Sequence, residues 1–516
     1  MNAPFKSIVM CFDGTNNNFG KRSPSNVLKL YRMLDRENPF EQICYYQPGI
    51  GNNIRVDYGS IGSRNHFSSL IEHIQMDLDA AFAFTIDYHV IEAYKFLIKQ
   101  FCPGDKIYLF GFSRGSFVAR ILAGMIHKIG LLDQSLQTMV PTAWKMYQKW
   151  EKNGQPTEGD SCESLEEFRK TFCRQKVEIE LMGLFDSVNS CGIIIDRMFP
   201  YTSITSHVKH IRHAISINER RCRFKENLFA QNPEQELGAM SDPELQPLFS
   251  VMQDQRCSDD MVEVWFPGDH SDIGGSWPLD ENGHQLSNVS LRWMLSFALE
   301  FGVLFKQGAI NEFSTKFPPK DCVLACHHDN LSLKRPPYMF NDCQPMGRDD
   351  LFPVPSKTPI ELSETGEKGN CGRGDSSLIA TWFWWFVEIL PFGYLTRQND
   401  GKWVTRYWPN FGNHRIIPKG AKIHWSLLWR SMFISDYRYS NVPLIYQDFV
   451  NSEKMEHGHK RTKIAILSLV DCRTGALDET KISSLLEERR KHQMAVDWNA
   501  LPDDLNRCIR YSVGKE

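Results

Sequence analysis

Gly111-Phe112-Ser113-Arg114-Gly115 fits G-x-S-x-G, the pattern that seats a nucleophilic serine on a sharp turn between a strand and a helix. The run directly before it is KIYLF, Lys106 to Phe110, and the run directly after it is SFVARILAGMI. Strand, turn and helix therefore follow one another, and Gly111 and Gly115 let strand and helix approach closely. The plainer alternative is a strand-to-helix turn whose serine only caps the helix. A nucleophilic serine needs a base, and the base needs an orienting carboxylate, in the chain order Ser, Asp or Glu, His for this arrangement. Asp186 follows the apolar run LMGLF, and His270 follows VWFPGD. Both stand where a buried strand gives way to a loop, the edge of an open sheet at which ligands bind. The chemistry expected of Ser113, Asp186 and His270 is attack on an acyl ester, an acyl-enzyme, and its hydrolysis by water.

Other residues compete for these roles or support them. Asp272 lies two residues after His270 and is expected to stabilise the loop rather than orient the imidazole. Among sixteen histidines, His207, His210 and His213 lie on one stretch, HVKHIRH. That stretch reads as helical, its histidines as packing or ion-pairing residues, with His213 beside Glu219, Arg220 and Arg221. An oxyanion hole would combine the N–H of Arg114 with one from the loop after an early strand. The turn Asp13-Gly14-Thr15-Asn16-Asn17 is the natural donor, with Gly14 and Thr15 approaching the substrate and Asp13 holding the turn. Its plain alternative is an Asx-turn. Cys322, Cys326, His327 and His328 cluster, but no second ligand pair follows at zinc-site spacing, so packing is expected there, with no metal and no cofactor.

The elements that must position these residues alternate. Strands are expected at Ser7 to Phe12, Ile43 to Gln47, Lys106 to Phe110, Val177 to Phe185 and Met261 to Phe266, with helices between Ser69 and Phe101 and from Gly115 to Ile129. Strands separated by helices imply an α/β fold, a mainly parallel sheet covered by helices on both faces. Residues 1–305 read as this catalytic domain. Residues 306–516 read as an extension wrapping the core, with long loops over 318–376 and a charged, solvated helix from Lys481 to Lys491. Within it, LIATWFWWFVEILPFGYL, residues 378–395, is interrupted by Glu388 and Pro391 and does not read as a membrane span. It reads as a buried amphipathic helix, or else as a lid or interfacial helix making peripheral membrane contact through Trp384 and Trp385.

The composition sets outer bounds. Hydrophobic residues make 42% and charged residues 23% of 516, which excludes a disordered or fibrous chain. Fifty-nine basic residues balance sixty-two acidic ones, against a nucleic-acid partner. Fourteen scattered cysteines and the lack of a signal-peptide pattern point to a reduced, cytoplasmic setting.

FDGTNN, FGFSRGSFVARILAGMIHKIGLL, GLFDSV, RHAISINERRCRF and WFPGDHSDIGGSW occur in this order. Together they resemble an α/β-hydrolase family of uncharacterised function that includes the phospholipase effectors of bacterial type VI secretion and many fungal relatives. The resemblance covers roughly residues 5–300. It implies an α/β-hydrolase fold and an esterase or phospholipase with Ser113 as nucleophile, Asp186 as acid and His270 as base. Residues 305–516, with WWFVEILPFGYL and IHWSLLWRS, look more like the fungal members, which speaks against a bactericidal role. Two other classes remain as alternatives, a catalytically inactive hydrolase-fold scaffold and a thioesterase on a small acyl substrate. A haloacid-dehalogenase-type phosphohydrolase, suggested by FDGT, is excluded because Cys11 stands where that chemistry needs its nucleophilic aspartate.

Overall fold

The computed structural model describes residues 5–14, 23–49, 86–152, 160–174, 176–188, 207–229, 258, 260–280, 282–333, 351–352, 378–390, 394–397, 403–406, 408–434, 437, 441–455, 462–489, 494–499 and 501–505. Its centre is a sheet of seven strands: β1 (Ser7–Phe12), β2 (Gln42–Gln47), β3 (Lys106–Phe112), β4 (Ile179–Phe185), β5 (Val208–Ser216), β6 (Asp260–Phe266) and β7 (Lys422–Ile423). The spatial order is β7-β6-β5-β4-β3-β1-β2, and every neighbouring pair is parallel. The fold class expected from the alternating apolar runs is the one observed.

The strand sequences are nearly continuous apolar runs because both faces of the sheet are covered. Successive side chains of β1 enter opposite cores: Val9 and Cys11 join one cluster, Ile8, Met10 and Phe12 the other. The second core is built with α2 (residues 86–100) and α3 (Arg114–Lys128), the first with α1 (Asn26–Met33) and α5 (Ser287–Glu300). A short helix, α4 (His270–Gly274), follows β6. Of the helical stretch expected between Ser69 and Phe101, residues 69–85 lie outside the described residues.

One expectation is corrected. The stretch holding His207, His210 and His213 is not helical: residues 208–216 form β5, in the middle of the sheet. The three-residue spacing of the histidines imitates a helical face, whereas His210 and His213 find their partners across strands. His210 and His213 stand opposite Asp260 and Glu263 in the β5–β6 register, with Nδ1 at 2.6 and 2.9 Å from those carboxylates. Cross-strand pairing of this kind lets a polar strand occupy a buried place.

The chain beyond residue 305 joins the same core. It contributes β7 at the sheet edge, α6 (Leu378–Ile389) and α7 (Ser426–Phe433), whose Leu427, Leu428 and Trp429 pack in the cluster that holds Trp265 and Trp293. Within the expected loop region, Pro319–Leu324 forms a short helix with Cys322 buried; residues 334–350 and 353–377 lie outside the described ones. The charged helix spans Glu479–Arg489 and buries Ile482 and Leu485 on its inner side.

Candidate active site

Phe112 and Phe185 are register partners on β3 and β4, so the next residue of each strand, Ser113 and Asp186, leaves the sheet at the same edge. Both bend sharply, with φ of 57° and 41°, a left-handed conformation that costs a non-glycine residue on the order of 1–3 kcal/mol. The turns stay tied to the sheet: the Ser113 N–H donates to Phe185 O at 3.0 Å, and the Asp186 N–H to Ala214 O at 2.7 Å. The flanking glycines are required by contact. A Cβ on Gly111 would stand 2.5 Å from Ser116 Cα, and one on Gly115 would stand 2.2 Å from Phe12 O. Gly115→Ala is therefore expected to cost about 1–3 kcal/mol of stability, read as a lower melting temperature; an unchanged melting curve would mean that β1 and α3 can separate freely.

His270 opens α4, whose start is a reciprocal capping box between Asp269 and Asp272. Its Nδ1 lies 2.6 Å from Asp186 Oδ2 and its Nε2 2.8 Å from Ser113 Oγ. An ionised carboxylate only accepts, so Nδ1 carries the proton and Nε2 accepts from the serine hydroxyl. Phe112 packs against the ring at a tilt and Phe224 meets it edge-on, each with its centroid 4.8 Å away. Burial lowers the imidazole's pKa, Asp186 pulls it back up, and the net direction is down. The base form is thus present at neutral pH. All three residues are buried.

Asp186 receives more than His270. Burial pushes its carboxyl up, but the Arg415 guanidinium and the hydrogen bond from His270 outweigh that and hold it well below the usual carboxylate range. Arg415 grips it as a fork, Nη1 to Oδ1 at 2.6 Å and Nη2 to Oδ2 at 3.0 Å, and the Ser216 N–H donates to Oδ1 at 2.8 Å. Glu226 lies on the other side of the guanidinium, 3.3 Å from Nε. Sequence reasoning missed Arg415, which stands 229 residues from Asp186 in the unremarkable run NHRIIP. Beside His270, Glu219 accepts its backbone N–H at 3.2 Å and pairs with Arg221 at 2.8 Å.

The remaining expected residues separate clearly. Asp272 accepts the N–H of His328 and lies 2.8 Å from its Nδ1, besides accepting the Asp269 N–H. It fastens the 328 loop to α4, while the ring hydrogen bonds of His270 go to Asp186 and Ser113. His213 does not join Glu219, Arg220 and Arg221: its Nε2 accepts the Ser187 N–H at 3.1 Å and its Nδ1 faces Glu263, so it holds the backbone just after Asp186. Asp13 organises its turn, accepting from Gly14 N–H at 2.7 Å, Ser25 Oγ at 2.8 Å and Tyr46 Oη at 2.6 Å. The Gly14 amide is thereby turned to Asp13, and Thr15 to Asn17 lie outside the described residues. Arg114 is the first residue of α3, where backbone N–H groups point out of the helix start. Cys322, Cys326, His327 and His328 disperse, with His328 committed to Asp272. Among the described residues no cluster of three or more His, Cys, Asp or Glu side chains could hold a metal ion.

The aromatic helix α6 lies against this site. Its buried Glu388 accepts the N–H groups of Cys222 and Gly412 at 2.6 and 3.1 Å and the Asn410 amide at 2.6 Å. Trp384 packs on Phe224, the ring that covers His270, at 5.5 Å. Trp384 and Trp385 are half-buried, the latter donating to Leu331 O at 2.8 Å. The helix is not a buried one, however: Trp382, Phe383 and Phe386 are 63%, 51% and 56% exposed. Among the described residues no helix is long and apolar enough to cross a membrane.

Comparison with known proteins places the chain in a family. The catalytic-domain model of the type VI secretion phospholipase effectors of Tle1-like type matches residues 6–297. An uncharacterised protein of Saccharomyces cerevisiae, YEL023C, is 35% identical over 559 residues, covering 85% of this chain and 80% of its own. A crystal structure of an uncharacterised Pseudomonas aeruginosa protein aligns over 62% of this chain and 50% of that one, at 19% identity and a TM-score of 0.36. The chain thus spans half the length of that protein. The Tle1 effector bound to the VgrG spike of the type VI secretion system aligns over 61% of this chain and 77% of its own, at 16% identity and a TM-score of 0.34. The family model takes in six of the seven sheet strands, the Ser113 elbow and the His270 helix, and the yeast relative extends the likeness beyond it: the chain belongs to the Tle1-like phospholipase effector family.

Proposed function

We propose that the protein is a serine hydrolase of lipid acyl esters, a phospholipase or lipid esterase, working through Ser113, His270 and Asp186. The observation that carries this reading is the row of two short hydrogen bonds, Ser113 Oγ to His270 Nε2 and His270 Nδ1 to Asp186, buried at the C-terminal edge of a parallel sheet. Ser113 Oγ bonds to the ester carbonyl carbon as its proton passes to Nε2. The tetrahedral intermediate then expels the alcohol, which takes that proton. Water enters the acyl-enzyme with its proton going to Nε2, and the acid leaves as the proton returns to Oγ. Asp186 stabilises the transient imidazolium, and the Arg114 backbone N–H at the start of α3 faces the developing oxyanion. Membership of a phospholipase family supports lipid esters over small thioesters, and the exposed aromatics of α6 support the same choice. The test is labelling with a fluorophosphonate and a panel of phospholipids and p-nitrophenyl esters. Modification at Ser113 with lipid turnover is expected; a protein that takes up no fluorophosphonate and cleaves no ester would be a scaffold.

Trp-rich surfaces suit the boundary between water and lipid, and the exposed face of α6 adjoins the ring that covers His270. Changing Trp382 and Phe386 together to Ser is expected to reduce activity on phospholipid vesicles about tenfold or more and to leave a soluble short-chain ester and the melting temperature nearly unchanged, since both side chains are largely exposed. Equal loss on both substrates would remove the lipid-contact role.

A further inference from the structure

We propose that Arg415, from the chain beyond the family's catalytic-domain match, is a positioning residue of the triad: its fork fixes the Asp186 carboxylate toward His270 and holds the Asp–His pair ready to act as a base. This rests on the reading of Ser113, His270 and Asp186 as a serine-hydrolase triad. Asp186 and Arg415 are both buried, and two near-parallel N–H···O bonds orient a carboxylate in its plane where a single bond would let it turn. The fork leaves Oδ2 2.6 Å from His270 Nδ1. Arg415 is itself placed by catalytic-domain groups: Nη1 donates to Ser216 Oγ at 2.8 Å and Nε to Phe224 O at 3.0 Å. Phe224 is the residue that packs edge-on against His270, so the backbone of that turn is tied to the arginine and its ring to the imidazole.

The charges around the pair give the arginine a sign. Besides Asp186, His270 feels Arg221 and Glu219. Arg415 feels Asp186, Glu226 from the segment after β5, Glu219, Lys225 and Arg221. Glu219 is matched by Arg221 at 2.8 Å. Arg415 is thus the cation in direct contact with the acid, and a positive charge there lowers the proton affinity of both Asp186 and His270. The imidazole stays neutral, and able to take the serine proton, to lower pH.

Hydrolysis of a soluble ester, expressed per fluorophosphonate-titrated site, tests the role in the full-length protein. Arg415→Met is expected to lower kcat about 100-fold with KM within about threefold, and to move the acid limb of the kcat/KM profile up by roughly one pH unit, because a neighbouring cation is lost. Arg415→Lys keeps the charge without the fork. Its acid limb should stay where the native one lies, while kcat falls about 5- to 10-fold. A merely structural arginine would lower melting temperature and yield in both variants, with kcat per site and the acid limb at native values, and that result would overturn the proposal. Where Arg415→Met does not fold, Arg415→Lys decides alone: native kcat per site overturns the role, and a fall at unchanged KM supports it. If the native protein takes no fluorophosphonate at Ser113, it is the hydrolase reading that fails rather than the role of Arg415.

Discussion

Ser113→Ala is expected to lower ester hydrolysis by about 10³-fold or more and to abolish fluorophosphonate labelling while the melting temperature barely moves. The expectation follows from the place of the hydroxyl. Among the described residues it makes one hydrogen bond, to His270 Nε2, and the backbone that holds the elbow is secured by the Ser113 N–H on Phe185 O and by the two flanking glycines, none of which the substitution touches. Alanine inherits the left-handed φ at a similar cost to serine. A variant with full activity would remove Ser113 from the chemistry and leave the elbow as a structural turn.

Asp186→Asn should be comparably damaging by a different route, a loss of about 10³- to 10⁴-fold in kcat. An amide in that place can present its N–H₂ to Nδ1, which stabilises the wrong imidazole tautomer, and it no longer offsets the imidazolium charge. Unlike Ser113→Ala it also lowers the melting temperature, because the buried Arg415 loses the carboxylate it grips with two hydrogen bonds and keeps only Glu226. Asp272→Asn is the control. It disturbs the capping box of α4 and the tie to His328, which costs about 1 kcal/mol of stability, and leaves kcat within about tenfold. The reverse ranking, with Asp272→Asn crippling and Asp186→Asn mild, would show that the acid had been assigned to the wrong residue.

What could be read from the sequence follows physical reach. β1, β3, β4 and β6 are legible because each is an apolar run buried on both faces and closed by a polar turn, and Ser113, Asp186 and His270 each stand at or just beyond the end of such a run. β5 is not legible: His207, His210 and His213 recur at helical spacing until Asp260 and Glu263 on the next strand are seen opposite His210 and His213. Arg415 is illegible for a related reason, since a buried arginine carries no local pattern and its meaning lies wholly in a carboxylate 229 residues away. Of the 378–395 run read as one helix, 378–389 is helical and Tyr394 and Leu395 begin a strand; Glu388, which interrupts the apolar run, is the helix's inward anchor, and the aromatics on its outer side stay in solvent.

The outer neighbour of β6 is β7, two residues at 422–423, in a chain whose other six sheet strands are complete by residue 266. During synthesis from the N-terminus, Ser113, Asp186 and His270 therefore leave the ribosome long before the strand that closes their sheet and the arginine that seats their carboxylate. Until then β6 presents a Val- and Trp-bearing edge with unpaired backbone groups, a surface that chaperones hold and that sticky fragments share. Translation order thus separates the Ser113 elbow from the residues that complete its surroundings, and a prematurely terminated chain carries the elbow without them.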